Sequence, residues 1–441
     1  MTPTATDGDP LPDKGLLERA LSPFADVRRG EAVGVLLLTL LMFLVLSGYY
    51  LLKTAREVFI LTEGGAEVKS YASAGQAVLL LVLVPAYGAF ASRVRRVELI
   101  TWVPLFFAVN LIIFAAVARA GAQIGVAYFL WLGIYNVMVI AQFWAFANDI
   151  YTQEQGRRLF PLIGVGSSLG AWIGSLRAGW VIDTLGPLRL LIGGAVVLIA
   201  CIVLARLVDR RSHRSSPTRA AVPDEKVGGS ESGFSMIVRD RYLMSIAGLT
   251  ILLNIVNTSG EYLFGRYVVD TATAMYGAGE ASAAARGQFI GDAYSTFYGQ
   301  VNLLGLLLQM FVVSRVFRFL GVGRSLFIHP AIAGAGYLLM LRAPSFNVIH
   351  ALKVADNAVD YSVGNTTKQA LWLPTSRQAK YKAKQAVDSF CVRAGDVMQA
   401  GIVYAGEAAS FGIPAFAAVN LVLTAGWFGV AASLNRRLRS R

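Results

Sequence analysis

FNVIHALKVADNAVDYSVGNTTKQALW, residues Phe346–Trp372, is the stretch whose reading decides the fold. Its length suits a membrane-crossing helix, which needs roughly 20 residues. Yet it carries Lys353, Asp356, Asn357, Asp360, Tyr361, Gly364, Asn365, Thr367 and Lys368. At ~100° per residue, Lys353, Asp356, Asn357, Asp360, Gly364, Thr367 and Lys368 fall in a stripe about 120° wide. Lys353 and Lys368 would stand ~22 Å apart along it. A helix polar down one side and apolar elsewhere, among apolar neighbours, is expected to line water or a solute. The alternative is an amphipathic helix on a soluble surface.

Composition weighs against that alternative. Of 441 residues, 55% are hydrophobic and 15% charged, and mean hydropathy is +0.55. A usual soluble domain is about 25% charged. The net charge of +13 is carried by short Lys/Arg clusters between apolar runs. That is a membrane-topology pattern, and no nucleic-acid partner is expected, because such binding needs a basic face with stacking aromatics. Cys201 and Cys391 show no C-x-x-C spacing, and His213, His329 and His350 are scattered, so neither a metal centre nor a disulfide framework is implied. Residues 1–32 are polar and acidic, unlike a cleavable signal.

Working outward from the deciding stretch, apolar runs fall near residues 33–61, 71–92, 99–118, 124–150, 160–182 and 188–207. Six more fall near 243–268, 298–319, 325–342, 346–373, 386–406 and 412–434. The expected class is an all-α membrane protein, twelve transmembrane helices in two six-helix halves of major facilitator type. The expected division is 1–32 N-terminal tail, 33–208 first bundle, 209–240 linker, 241–434 second bundle and 435–441 tail. The halves echo each other: SRVRR at 92–96 follows the second run, and SRVFR at 314–318 follows the eighth. Basic clusters lie on one side of such a layout, which predicts both termini cytoplasmic. The Ala-, Gly- and Arg-rich composition suits a bacterial inner membrane. Gly166, Gly170 and Gly174, at four-residue spacing, read as a close-packing face rather than a dinucleotide fingerprint, since no strand precedes them.

Polar stripes fall on the helices expected to surround a central path. Tyr49, Lys53 and Arg56 lie within ~60° on the first, with Glu57 close enough to pair locally. Interfacial snorkelling of Lys53 and Arg56 is the other reading. Asn254, Asn257, Thr258, Glu261 and Gly265 share ~100° of the seventh, and Gln142 and Asp149 share a side of the fourth. Arg177 in the fifth must face protein or water and find a partner. Asp388, Arg393, Asp396 and Gln399 mark the eleventh as a place for gating pairs. Cations at Lys53, Arg56, Arg177, Lys353, Lys368 and Arg393 outnumber Glu261, Asp356 and Asp360, which favours an anionic solute. Pairing at i, i+3 of Lys353 with Asp356, or Arg393 with Asp396, is the competing account.

Three stretches carry a family resemblance: LKTAREVFIL (52–61), FWAFANDIYTQEQGRRLFPLIG (143–164) and NTTKQALWLPTSRQAKYKAKQAVDSFCVRAGD (365–396). They resemble the bacterial and plastid ATP:ADP antiporters. The resemblance implies a major-facilitator-like carrier exchanging nucleotides or related phosphorylated anions. It places that family's first-helix base on Arg56, with Lys53 beside it, and its tenth-helix lysine on Lys368. Two positions depart: Leu132 or a neighbour stands where the family has a carboxylate, and Asn257 replaces another, with Glu261 one turn away.

The expected cargo contacts are therefore Tyr49, Lys53, Arg56, Asn257, Asn365 and Lys368. Coupling or gating falls to Asp149, Arg177, Glu261, Lys353, Asp356, Asp360, Arg393 and Asp396. A proton-coupled carrier of a non-nucleotide solute, titrating Glu261, Asp356 or Asp360, is the alternative. There is no Walker A stretch, no G-x-S-x-G elbow and no metal-ligand cluster, so an enzyme is not expected, and the missing Walker motif also argues against an ATP-driven pump. No cofactor is implied; the partners are an anionic small molecule and the lipid bilayer, and the chain is expected to be a monomer.

Overall fold

The computed structural model describes residues 16–21, 27–28, 30–91, 94, 96–215, 232–342, 345–376 and 378–439. The expected N-terminal tail up to residue 15, linker residues 216–231, Arg29, Arg93, Arg95, Arg377 and the last two residues lie outside these. Among the described residues the chain is all-helical, with no strand. The long elements are α1 (Ala32–Ala91), α2 (Arg96–Arg119), α3 (Gly125–Ile150), α4 (Gln153–Leu185) and α5 (Leu188–Ser215). The second half of the chain supplies α6 (Arg241–Tyr276), α7 (Ala283–Phe311), α8 (Val313–Ser325), α9 (Ile328–Met340) and α10 (Phe346–Val359). It ends with α11 (Val392–Ala408) and α12 (Ile413–Arg439). Seven described helices are long and apolar enough to cross a membrane, and α7 and α8, bent by 74° at their junction, pass the same test only as a pair.

At 60 residues, α1 would be about 90 Å long, three times the hydrocarbon core. It is two arms meeting at Gly65, whose φ of 71° and ψ of −173° no helix accommodates. Lacking a Cβ, glycine takes that positive φ without strain. The glycine face of α4 behaves as its spacing predicts. A Cβ on Gly166, Gly170 or Gly174 would collide with the backbone carbonyls of Thr39, Phe43 or Ser47, so α4 lies directly against the first arm of α1.

Two expectations need correcting. The eighth span is expected near 298–319, but α7 starts at Ala283 and ends at Phe311, leaving Arg315 and Arg318 on α8 beyond the bend. Its first turns hold Gly287, Gly291 and Ser295, which nest against Val58, Ile182 and Gly179. Small residues buried in protein rather than lipid carry little hydropathy signal. The tenth helix is not one regular rod: a π-helical turn at Asp360–Gly364 separates α10 from Asn365–Ala370. The lead-in to α11 carries two more, at Ala379–Ala383 and Val387–Cys391. Such turns gather at functional sites.

The two halves of the chain meet near Gly65. Gly265 lies against Leu61 and Ala66, Gly287 against Val58 and Thr62, and Gln399 donates to Ser70 at 3.4 Å. At that end the Glu63 carboxylate caps α3 by accepting from the Ile124 and Gly125 amides at 3.2 and 2.6 Å. At the opposite end Glu31 accepts from Arg158 at 3.0 and 3.1 Å and from Gln155 at 3.1 Å, tying α1 to α4. Partial burial opposes the charge on Glu31, but Arg158, the Arg28 amide and Gln155 outweigh it and hold the carboxyl below its ordinary range.

Replacing Gly170 by Leu should wedge α4 from α1 and cost about 1–3 kcal/mol of stability by overpacking, read as an earlier thermal transition in detergent. Glu31→Gln should cost about 1 kcal/mol at neutral pH once solvent screening is allowed for. Because the folded pKa lies below the ordinary 4.5, that contribution is present above 4.5 and lost as pH falls through the folded value. The melting temperatures of the two proteins should therefore converge in acid.

Candidate functional site

Helical spacing puts Tyr49, Lys53 and Arg56 on one face of α1, and the structure gathers a charged cluster around them. The Lys53 ammonium is 4.2 Å from the ring centroid of Tyr298 on α7 and 5.3 Å from that of Tyr50. Lys53 is 9% exposed, and among the described residues no carboxylate lies within ion-pair distance of it. Ring faces attract such a cation but do not neutralise it. Arg56 pairs with Glu57 and lies 4.6 Å from the ring of Phe129 on α3. Glu57, fully buried, also meets Lys69 on the second arm of α1 at 2.7 Å and accepts from the Tyr298 hydroxyl at 3.0 Å.

Glu261 comes from α6, across the junction of the halves. It is half-buried, and among the described residues it has no hydrogen-bond or ion-pair partner. It lies within electrostatic range of Lys53, Tyr49, Tyr50 and Tyr361. Tyr49 stacks on Tyr135 at 6.4 Å, and Trp131 and Tyr128 continue that ladder at 5.7 and 5.6 Å. Tyr361, 41% exposed on the π-turn of the tenth helix, faces this cluster from the second half.

The tenth helix carries a second set of charges, and these are largely answered. Lys353 is 2% exposed, pairing with Asp356 at 2.8 Å and donating to the Asn257 side chain at 3.0 Å. Asp356 meets His329 Nε2 at 3.2 Å, His329 Nδ1 lies 3.7 Å from Asp360, and Asp360 meets Lys368 at 3.3 Å. Lys353 and Asp356 are thus buried inside the second half, with Asn257 half-buried against Lys353, instead of lining open water. The extra residue of the π-turn breaks the straight stripe that 100° steps predict. Asn365 is exposed, and the Lys368 side chain is 30% exposed.

The eleventh helix shows the same economy: Arg393 pairs with Asp396 at 3.2 Å, and Asn254 donates to Asp396 at 2.8 Å. Gln142 does not share a side with the charged cluster, because it donates to Tyr87 at 2.5 Å and the Leu99 carbonyl at 3.5 Å. Asp149 is exposed, about 30 Å along α3 from Phe129. Arg177 is exposed on α4, and no described side chain pairs with it. The crevice lined by Leu41, Ile100, Val139, Phe143 and Cys201 is apolar and holds no charge.

Charge counting therefore narrows the expected positive excess to α1. There Lys53, Arg56 and Lys69 face two carboxylates, Glu57 and Glu261, while Lys353, Lys368 and Arg393 each have an acid of their own. Sequence reasoning missed Lys69, Tyr298, Phe129 and His329. Lys69 sits four residues past Gly64-Gly65 and reads as loop charge, and a tyrosine 241 residues from its carboxylate gives no local signal.

No family model matches the chain. It is 22% identical over 349 residues to ADP,ATP carrier protein 1 of Chlamydia muridarum, covering 68% of this chain and 62% of that one. It is 24% identical over 341 residues to the plastidic ATP/ADP-transporter of Solanum tuberosum, covering 68% and 51%. The chain thus spans between about half and three-fifths of the length of these relatives. Among solved structures it is similar to a bacterial homologue of the iron transporter ferroportin in an inward-facing state, with TM-score 0.63 and 15% identity over 91% of this chain and 98% of that one. It is also similar to the nucleoside transporter NupG, with TM-score 0.57 and 14% identity over 91% and 98%.

The resemblance to the ATP:ADP carriers is borne out. The fold is that of major-facilitator transporters, and the chain is a multi-pass membrane protein. These relatives are transporters, not enzymes.

Lys53 and Arg56 should respond differently to removal of charge. Lys53→Met deletes a buried cation with no ion-pair partner, so the melting temperature should hold or rise. Arg56→Met takes a donor from Glu57 and should lower stability by about 1–3 kcal/mol. Thermal denaturation of both variants, without ligand, checks the contrast.

Proposed function

We propose that this protein is a secondary transporter that exchanges nucleotides or related phosphorylated anions by alternating access. The observation that carries the proposal is Lys53, a cation without a carboxylate partner, next to Arg56 and beneath the junction of the two halves. Arginine and lysine grip phosphate oxygens in complementary ways, one as a planar fork and the other as a point charge. The cargo's phosphoryl group would complete the charge at Lys53 and Arg56, and Lys368, 30% exposed, would reach it from the tenth helix. Tyr49, Tyr361 and Asn365 would offer ring and amide contacts. Rocking of the halves would then carry the anion across, with the contacts near Gly65 parting and those at the other end forming.

The proposed architecture has twelve spans in two six-helix halves, residues 33–208 and 241–434. Α1 supplies two spans, and α8 belongs to the bent span that α7 begins. The basic clusters support both termini facing the cytoplasm of a bacterial inner membrane, which makes the Gly65 end the outer one. Asp149, Arg177, Arg393 and Asp396 would act in gating.

One observation favours a second reading. Glu261 is half-buried, has no hydrogen-bond partner among the described residues and lies within electrostatic range of Lys53. An intramembrane carboxylate so placed is suited to carrying a proton. Proteoliposomes loaded with ADP, AMP, a sugar phosphate or inorganic phosphate separate the two. Exchange predicts uptake of label that needs anion on the opposite side and no pH gradient. Uptake driven by a pH gradient alone, and abolished by Glu261→Gln, favours the second reading. Arg56→Ala and Lys368→Ala should each lower transport below about a tenth of wild type, since losing one charged contact costs about 1.5–3 kcal/mol. Unchanged transport in both rejects the anion site.

A further inference from the structure

Three donors converge on Glu57, and nothing in the preceding function accounts for them. The Glu57 carboxylate is fully buried and is met by Arg56, by Lys69 at 2.7 Å and by the Tyr298 hydroxyl at 3.0 Å. The donors come from the first arm of α1, its second arm and α7 of the other half of the chain. Two cations and a hydroxyl aimed at one pair of oxygens is the donor set of an oxyanion receptor, in which a phosphoryl group would suit better than a carboxylate. Two cations also leave Glu57 over-compensated: it supplies one negative charge where a phosphate monoester supplies nearly two.

The receptor has an open side. The Arg56 side chain is 11% exposed and lies over Phe129, whereas Glu57 is sealed behind it. Lys53 stands one turn before Arg56 and touches the other face of the same contact, the ring of Tyr298. An anion arriving beside Lys53 therefore meets Arg56 first, and through it the set of donors that Glu57 occupies.

We infer that Arg56, Lys69 and Tyr298 form a phosphoryl subsite in which Glu57 is a resident placeholder, displaced when the cargo's anionic group binds. The inference rests on the anion-carrier reading above, and it adds Lys69 and Tyr298 to the cargo-binding groups. The Tyr298–Glu57 bond spans the halves, so a cargo that takes Glu57's donors replaces this link with one of its own.

The placeholder and a merely positioning role for Glu57 predict opposite changes in affinity. If Glu57 competes with cargo, Glu57→Gln removes the competitor, and affinity should tighten about tenfold or more as the competent fraction of the site rises. If Glu57 only orients Arg56, the same substitution weakens binding. The probes are ADP, AMP and inorganic phosphate, titrated by calorimetry into purified full-length wild type, Glu57→Gln and Lys69→Met. The expected result is tighter binding of at least one probe by Glu57→Gln and weaker binding by Lys69→Met. Should Glu57→Gln fail to fold, Glu57→Asp, one methylene shorter, should shift affinity in the same direction to a lesser degree. Wild-type binding that is unchanged or weakened in the Glu57 variants overturns the placeholder and leaves the anion carrier standing. No binding of any probe by any variant overturns both.

Discussion

Lys53 lies between the rings of Tyr50 and Tyr298 without a carboxylate in contact, and the other charges of the membrane core are arranged around that imbalance. A low-dielectric interior penalises an unanswered charge heavily, and the chain answers almost every other one. Asp356 takes Lys353, Asp360 takes Lys368, Asp396 takes Arg393, and Glu57 takes both Arg56 and Lys69. Around the junction of the halves, the described residues left without an ion-pair partner include Lys53 on the first helix and Glu261 on α6, which lies within electrostatic range of it.

Much of the fold was legible because hydropathy and glycine spacing act locally. The run that became the first arm of α1, the gap between residues 61 and 71 where its two arms part, and the Gly166/Gly170/Gly174 face all follow from residues within a few turns of each other. The start of α7 was not legible, since Gly287, Gly291 and Ser295 are buried by neighbouring helices and not by lipid. The π-turn at Asp360–Gly364 was not legible either, because one extra residue leaves no mark on composition while rotating everything after it. For the site, the periodicity of Tyr49, Lys53 and Arg56 pointed to the face of α1 around which the charged cluster gathers. The identity of each partner did not follow, because His329 to Asp360 and Tyr298 to Glu57 are choices made by tertiary packing.

The two departures from the ATP:ADP carrier pattern gain physical content. Leu132 is 1% exposed and sits in the apolar wall of α3, so this helix brings no acid to the cluster; Arg56 meets the ring of Phe129 there. Asn257 is held by Lys353 inside the second half, and the carboxylate that α6 does present is Glu261, one turn on. The charge set around Lys53 is thus smaller than the sequence alone suggests, with three cations against two acids.

A structure determined by electron cryo-microscopy with ADP or inorganic phosphate present tests the central claim most directly. The account predicts density for a phosphoryl group within hydrogen-bond reach of Lys53 and Arg56, on the side facing Glu261. Density confined to the apolar crevice beside Leu41 and Cys201, or lying away from the junction of the halves with Lys53 still bare, would contradict it.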